Sequence, residues 1–518
     1  MVSDIIPGEK FRAWCALALI AVISGCIKVG PDFIRPDAPV SQKWRESGDA
    51  RVGDEPADYR AWWQAFNDPE LDAIIDRAYR NNLSLRIAAL RVLEARALLG
   101  IAIGQFFPQD QRLTGSVEYN RVSEHSFQLG ALLNPVYAQS QVAVEAAWEL
   151  DFWGKYRRNI ESAKANWKAT MADYDSALVS LTADAANAYI TIRTLEKRAE
   201  ITRQNIASLT ESLNIAKARF QAGTSSERDV EQARTQLATT RAVIPILESQ
   251  LRQAKNALSV LIGVPPAEFE GIISTGADIP VPPLQVAVGI PADLIRRRPD
   301  IRSAEYKAAS QSAQIGVAKA DLLPSLSLAG TFGFASSNVG TNALSDIFKW
   351  ESRQYTWGPQ GQWPILNYGR IINNVRVQDA RFEQLLISYR NAVLKAQQEV
   401  EDALAGLLRS REGAESLAES VASAKNAVRI ALAQYREGVA DYTTVITAQS
   451  VLFSAQDNLA NTLGDTSRYL TSLYRALGGG WQIREEGMEP ISEEIKQAMA
   501  ERTYWGDLLK PAVYMPRD

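Results

Sequence analysis

Between Gly154 and Gln221 the chain has no proline and, after Gly154 itself, no glycine. Apolar residues fall three and four apart throughout: Trp167, Met171, Tyr174, Leu178, Leu181, Ala185, Ala188, Ile192, Leu195, Ala199, Ile206, Leu209, Leu213, Ala216 and Phe220, with Thr202 as the one polar member. Such spacing is a helical seam, and its 3.5-residue repeat implies left-handed supercoiling against a partner. A helix of this length is about 100 Å long, deeper than any single globular core. A second seam of smaller residues, Ala169, Ala172, Ser176, Val179, Ala183, Ala186 and Ile190, runs beside the first. Two seams call for two neighbours, as in a wall of helices. On this stretch alone, a two-stranded coiled coil is the simpler alternative.

The 518 residues allow two to four domains. A formal charge of −4 with no basic block excludes a nucleic-acid-binding surface. The first 25 residues read as an export signal: Lys10 and Arg12, then an apolar run from Ala13 to Ile23 that is too short to span a bilayer. Asp4 and Glu9 depart from the usual charge pattern. The ending Ile23-Ser24-Gly25-Cys26 resembles the bacterial lipobox, which implies cleavage before Cys26 and acylation of its thiol. Cys15 lies inside the signal, so Cys26 is the only cysteine expected after cleavage and no intrachain disulfide can form. By analogy with bacterial lipoproteins, Ile27 after the cysteine points to the outer membrane.

Residues 26–67 read as an extended segment broken by Gly30, Pro31 and Pro36. A helix is expected from Pro69 to Phe107, with Asp68 as N-cap, and Pro108 closes it. From Leu113 the period changes to two, and a second alternating stretch includes Val142, Val144 and Trp148. The long helix follows and stops at Gly223; another runs from Ser226 to Ile262, with a kink expected at Pro245. After a proline-rich interval the programme repeats. Gly100 through Pro108 matches Gly316 through Pro324 at an offset of 216. Gly154, Gly223 and Gly263 match Gly369, Gly438 and Gly478 at 215. The resulting plan is a signal (1–25), an extended segment (26–67), repeat 1 (68–262), a proline-rich linker (263–292), repeat 2 (293–478) and a tail (479–518). Gly406 and Gly413 interrupt the second long helix, where a bend is expected.

The alternating stretches carry one apolar, aromatic-rich face: Leu113, Val117, Tyr119, Val144, Trp148, Leu328, Phe332, Phe334, Trp357 and Trp363, with Tyr355 and Ile365. Their other face is small and polar. A soluble antiparallel sheet packed on a helix alternates in the same way. The export signal and the aromatics near strand ends favour an outer-membrane barrel wall, with those residues facing lipid. Open edges do not survive in lipid and a closed barrel needs at least about eight strands, so four strands per chain require a barrel shared between chains.

Several motifs together resemble the outer-membrane efflux proteins. They are Val29-Gly30-Pro31-Asp32-Phe33 through Pro36, Trp62-Trp63 with Phe66, Asp68-Pro69 with Leu71, Gly289-Ile290-Pro291 with Leu294, Arg298-Pro299-Asp300-Ile301, Gln314-Ile315-Gly316, Tyr435-Arg436 with Gly438, and Ala448-Gln449. These proteins are the TolC-like channels, and the match is to their lipid-anchored NodT and OprM-type branch. The resemblance implies an α+β membrane protein: a homotrimer whose 12-stranded β-barrel continues into a periplasmic α-barrel of long coiled-coil helices. Residues 26–67, 263–292 and 479–518 would form its equatorial region, although the last forty residues, with Trp481 and Trp505, fit the pattern least. It also implies a periplasmic adaptor and an inner-membrane pump of the RND type as partners. The turns at Gly223 and Gly438 match the adaptor-contacting tip, and Asp441 and Tyr442 match the region of the periplasmic gate. An acidic ring at Asp441 would disfavour anions. As local chemistry, Asp441 is also an N-cap and the glycines are helix stops.

No catalytic constellation is visible. The sole histidine, His125, cannot build a histidine-based triad or histidine-rich metal site, five methionines make a poor soft-metal relay, and no phosphate loop is present. No cofactor is expected. Arg296-Arg297-Arg298 reads as a solvated or acid-pairing run. The chain therefore reads as a non-enzymatic exit duct for small molecules such as drugs or toxic compounds. A type I protein-secretion channel in the same architecture and a non-conducting envelope scaffold are the alternatives.

Overall fold

The duplication seen in the sequence is repeated residue for residue in three pairs of helices. The structure, a computed structural model, describes residues 28–53, 55, 59–123, 136–274, 276, 278–293, 297–486 and 491–515. Its principal helices are α1 (Pro69–Asn81), α2 (Leu83–Gly104), α3 (Lys155–Gln221), α4 (Glu227–Leu261), α5 (Pro299–Ala320), α6 (Arg370–Arg436), α7 (Tyr442–Ala476) and α8 (Glu493–Arg502). Helices α2 and α5 have 22 residues each, α3 and α6 have 67 each, and α4 and α7 have 35 each. Helix α4 continues through Pro245.

The helix expected over 69–107 is two helices. Asp68 caps α1 by accepting from the amides of Glu70 and Leu71, as its sequence position suggests. The break falls at Asn82, whose extended backbone ends α1 and whose Oδ1 accepts from the Leu85 amide at 2.8 Å to start α2. Asn82 Nδ2 also donates to the Leu261 carbonyl at 3.0 Å, which satisfies the last turn of α4. The equivalent place in repeat 2 is Arg298, which donates to the Ala476 carbonyl at 2.8 Å at the end of α7. Arg298 also holds Glu399 at 2.7 Å and Asp300 at 2.8 Å, so the arginine run does pair with acids, and Arg297 lies over the Tyr59 ring. Arg296 and Leu294 lie outside the described residues.

The chain divides into two compact units, and each draws on both repeats. One contains the described residues up to Pro36, Glu94–Ala169 and Glu305–Ile387. Its centre is an antiparallel sheet of β1 (Asp110–Arg121), β2 (Val136–Glu149), β3 (Ser325–Ser337) and β4 (Arg353–Gln362), in sequence order. The register aligns Leu113 with Val144, Val144 with Phe332, and Phe332 with Tyr355. Strand β4 ends at Gln362, so Trp363 and Ile365 lie past the ladder, where Pro364 supplies no amide hydrogen. The segment 26–67, expected as one piece, is split. Residues 28–36 belong to this unit, because the buried Arg158 donates to the carbonyls of Val29 and Gly30 at 3.0 Å each and pairs with Glu161 at 2.9 Å.

The other unit contains Asp37–Leu93, Thr170–Ala304 and Ser388–Asp518. Its aromatic centre is Trp62, Trp63, Phe66 and Tyr474, all buried, with Trp62 stacked on Tyr474 at 5.3 Å. The tail is docked here: Arg484 pairs with the buried Asp175 at 2.8 Å, Trp481 lies under Arg302, and Tyr514 is fully buried. Gly406 does not interrupt α6. A Cβ there would fall 2.4 Å from the Tyr469 ring, so the glycine makes room for α7.

Both seams of α3 are buried as expected. Tyr174, Leu178, Ala185, Ile192, Leu209 and Leu213 line one, and Ala169, Ala172, Val179, Ala183 and Ile190 the other. Thr202 satisfies its hydroxyl inside its own helix, on the Arg198 carbonyl at 2.8 Å.

Candidate channel wall and helix tip

Strand parity and register place every expected lipid-facing strand residue on a single face of the sheet. Leu113, Val117 and Tyr119 of β1 lie beside Val142, Val144 and Trp148 of β2, then Leu328, Phe332 and Phe334 of β3, then Tyr355 and Trp357 of β4. Among the described residues nothing covers most of this face: Leu113 is 73%, Val117 77%, Tyr119 79% and Trp357 77% exposed. Phe334 and Trp148 are half-buried. An apolar wall of this extent is stable only when lipid or a partner covers it.

The tryptophans at its helix-side margin are fixed by a repeated device. Trp148 Nε1 donates to the Phe106 carbonyl at 3.2 Å, and Trp363 Nε1 to the Leu322 carbonyl at 3.1 Å. These pairs are related by the duplication, so Trp363 shares the face although it lies beyond β4. Indoles held this way, with a satisfied N–H and a ring that is exposed at Trp363 and half-buried at Trp148, suit a membrane–water boundary. At the hairpin end the face is partly covered. The turn Leu344–Phe348 folds against β2 and β3, with Ser140 Oγ donating to the Leu344 carbonyl at 3.3 Å, and buries Ala138 and Ser140.

The opposite face carries Asp110, Arg112, Thr114, Ser116 and Glu118 on β1, Gln139, Gln141, Glu145 and Glu149 on β2, and serine, threonine, glutamine and small residues on β3 and β4. Arg112 is held between Asp110 at 2.5 Å and Glu145 at 3.2 Å. This surface can line water.

The second site is the pair of turns joining α3 to α4 and α6 to α7. Each long helix ends in a Schellman motif with glycine in the left-handed region, Gly223 at φ 75° and Gly438 at φ 78°. The closing bonds run from Thr224 N to Arg219 O at 2.9 Å and from Val439 N to Gln434 O at 2.9 Å. Beneath the turns lies a core of Leu209, Leu213, Ala216, Val230, Ala233, Ala431, Tyr435, Tyr442 and Val445.

Asp441 is an exposed N-cap of α7. Its Oδ1 accepts from the Thr444 hydroxyl at 2.8 Å and amide at 3.1 Å, which holds its carboxyl below the ordinary range. Tyr442 has no exposed surface. Its ring packs 5.2 Å from that of Tyr435, so any part it has in closing a passage acts through the position of the helices.

Sequence reasoning missed the residue that ties the two turns together. Arg219, in the last turn of α3, donates through Nη1 to the carbonyls of Tyr435 and, at 3.0 Å, Arg436. Its Nη2 donates to the Thr224 carbonyl at 3.2 Å, and its guanidinium lies 4.8 Å over the Tyr435 ring. A basic residue in a final helical turn is a recognisable signal, but the partner helix is not. Arg436 pairs with Glu211 at 2.6 Å, and the Tyr435 hydroxyl donates to Asp229 at 3.5 Å. Cys26 and His125 lie outside the described residues. Among the described residues there is no cluster of metal-ligating side chains, and no helix is long and apolar enough to cross a membrane.

Comparison with known proteins bears on the chain as a whole. A family profile described as outer membrane efflux protein matches residues 74–264 and 290–479, which is one match per repeat. Nodulation protein T of Rhizobium leguminosarum bv. trifolii is 31% identical over 91% of this chain and 98% of its own length. The solvent efflux pump outer membrane protein SrpC of Pseudomonas putida is 33% identical over 92% of this chain and 100% of its own. Among solved structures, the outer-membrane channel OprN superposes with a TM-score of 0.81 at 30% identity, over 88% of this chain and all of its own. The wall, the long helices and these likenesses agree: the chain is a non-enzymatic member of the outer membrane efflux protein family, in its NodT/OprM-type branch, with the α+β fold of the TolC-like channels.

Proposed function

We propose that three copies of this chain form the exit duct of a tripartite efflux system. They would close a 12-stranded barrel in the outer membrane, and six long helices would line its periplasmic extension. The observation that carries this reading is the four-stranded sheet with one exposed apolar face, one polar face and two open edges, β1 and β4. A second observation supports closure by copies of the same chain. Trp153 Nε1, from repeat 1, donates to the Pro324 carbonyl of repeat 2 at 2.7 Å. The duplication equates Trp153 with Tyr368 and Pro324 with Pro108, yet Tyr368 is 97% exposed. In a ring of alternating repeats, Tyr368 of one protomer meets Pro108 of the next.

The duct itself uses no energy. A periplasmic adaptor would engage the turns at Gly223 and Gly438, and an inner-membrane pump of the RND type would drive small, toxic or solvent-like molecules into it. The names of SrpC and of the pyoverdine export outer membrane protein OpmQ of Pseudomonas aeruginosa support small-molecule cargo. Acylated Cys26 would tether the chain to the outer membrane, with the Arg158 clamp on Val29 and Gly30 fixing where the tether leaves the folded unit. Asp441, repeated once per protomer, would ring the periplasmic opening, and Arg219, Arg436–Glu211 and Tyr435–Asp229 would hold each tip shut.

Conductance of the purified protein in planar bilayers tests the reading. Stable single-channel steps are expected, and Asp441→Ala should reduce cation preference. Absence of any conductance, from protein shown to be inserted, would leave a scaffold as the function.

A further inference from the structure

Helix α2 carries an apolar stripe that the described residues of its own chain leave open. Leu83, Ile87, Leu98 and Ile101 share one helical face at 3.5-residue spacing and are 64%, 52%, 49% and 58% exposed. Glu94, also exposed, stands in the middle of the stripe, seven residues from Ile87 and from Ile101. The equivalent positions of α5, at an offset of 216, are Ser303, Ser310, Gln314 and Val317, with Pro299 at the start. Here the stripe is in use. Ser303 Oγ donates to Asp173 at 2.5 Å, Ser310 Oγ to the Ser162 carbonyl at 2.9 Å, and Gln314 Nε2 to Ser162 Oγ at 2.8 Å. These contacts lie along the second seam of α3, where Ser162 is 4% and Ala169 0% exposed. On α6 the same seam is open at Val377, Gln384, Ile387 and Leu394.

Successive contacts run in opposite senses along α5 and α3, so these helices are antiparallel. Ser303 meets Asp173, and one heptad further along each helix Ser310 stands level with Asn166. An offset of 216 turns Ser310 into Glu94, and one of 215 turns Asn166 into Arg381. Both of these side chains are exposed, and among the described residues neither has an ion-pair or hydrogen-bond partner. By the same offsets Gln314 and Ser162 become Leu98 and Val377. We propose that α2 of one copy seats on α6 of the next, Leu98 against Val377, and that an ion pair between Glu94 and Arg381 makes this seam selective for a second copy. The inference rests on the shared barrel proposed above. Exchanged faces do not fit. Helix α5 on α6 would bury Gln314 against Val377 without a hydrogen-bond partner, and α2 on α3 would set Glu94 against Asn166, which brings no cation. The chain thus keeps a neutral, hydrogen-bonded seam for itself and an apolar, charge-marked one for its neighbour.

The test is self-sorting of full-length chains. Wild type and the swapped chain, Glu94→Arg with Arg381→Glu, are given different tags and co-expressed, and the detergent-purified oligomers are counted by native mass spectrometry. Each chain should assemble with its own kind, while mixed oligomers, which set like charges together at the seam, should fall at least about tenfold below random mixing. Glu94→Arg alone and Arg381→Glu alone should each weaken assembly at least about tenfold, and the double swap should restore it. Both positions are exposed in the single chain, so helical circular dichroism should be unchanged throughout. Random mixing, single variants that assemble like the wild type, or a double swap that fails to restore assembly overturns the proposal. Light scattering and bilayer conductance on the same samples separate the two readings. A monomeric, non-conducting wild type overturns the barrel, whereas a conducting oligomer that mixes freely with the swapped chain overturns the ion pair alone.

Discussion

Helices α3 and α6 have the same length and stand at the same place in the two repeats, yet the single chain treats them differently. At α3, Ala172 is 1% and Val179 7% exposed. The equivalent positions on α6 are Ile387 at 62% and Leu394 at 51%. One helix has both of its neighbours and the other lacks one. The missing neighbour is on the α6 side, as is the missing partner of Tyr368. Since repeat 1 already shows what a satisfied flank looks like, the simplest occupant is repeat 1 of another copy.

Charging the open flank is the strongest way to break this reading. Ile387→Asp with Leu394→Asp places two carboxylates where each protomer would bury two large apolar side chains, worth about 1.5–3 kcal/mol apiece. We expect the oligomer to dissociate, with an assembly constant lowered more than about 100-fold in analytical ultracentrifugation and with helical circular dichroism unchanged. An oligomer of wild-type stability would show that α6 ends its contacts within its own chain.

The two helices differ inside the chain as well. The fully buried Arg193 of α3 is held by Glu196 at 2.7 Å, the Ser274 carbonyl at 2.8 Å and Glu70, with its guanidinium 4.8 Å over the Tyr189 ring. The duplication puts buried Leu408 at this place in α6. Burial raises the Glu70 pKa, but the Ser274 amide and Arg193 outweigh it and leave the carboxyl below its ordinary 4.5. A carboxylate depressed on folding contributes stability above its unfolded pKa and loses it as pH falls through the folded value. Hydrogen exchange at pH 3 to 4 should therefore rise around residues 189–196 before it rises around 404–411, and Glu70→Gln should abolish that order. Glu70→Ala, which strands Arg193, should cost about 2–3 kcal/mol once partial exposure of Glu70 is allowed for. Simultaneous exchange in both helices of the wild type would mean that the ion cluster carries none of the difference.

These contrasts explain what could be read in advance. The seams, the strand faces and the duplication follow from periodicity, which every turn or every second residue repeats, and they are present in the structure in register. The break at Asn82 escaped because asparagine mid-pattern is weak punctuation until a carbonyl such as that of Leu261 stands opposite it. Arg158, Arg193 and Arg219 escaped for the same reason: each binds carbonyls or acids that are remote in sequence, and a single arginine has no period. Tyr442 shows the reverse limit. Its position beside the turn was legible, but its burial under Tyr435 was not, because both residues lie on helix ends whose facing depends on the neighbouring hairpin.

The smallest expected difference lies between the tip glycines. Both are left-handed, so alanine at either costs about 1–2 kcal/mol of backbone strain. At Gly223 a Cβ meets nothing within 4 Å, whereas at Gly438 it falls 3.2 Å from Arg219 Nη2. Gly438→Ala should therefore cost about 1 kcal/mol more, the worth of one weakened hydrogen bond from Arg219. The excess should vanish in an Arg219→Ala background, and equal melting shifts for both glycine variants in the wild type would remove Arg219 as a lock. The lock is one-sided: Arg219 leaves repeat 1 and grips the end of α6, whereas the equivalent residue on α6 is Gln434, for which no such grip is seen among the described residues.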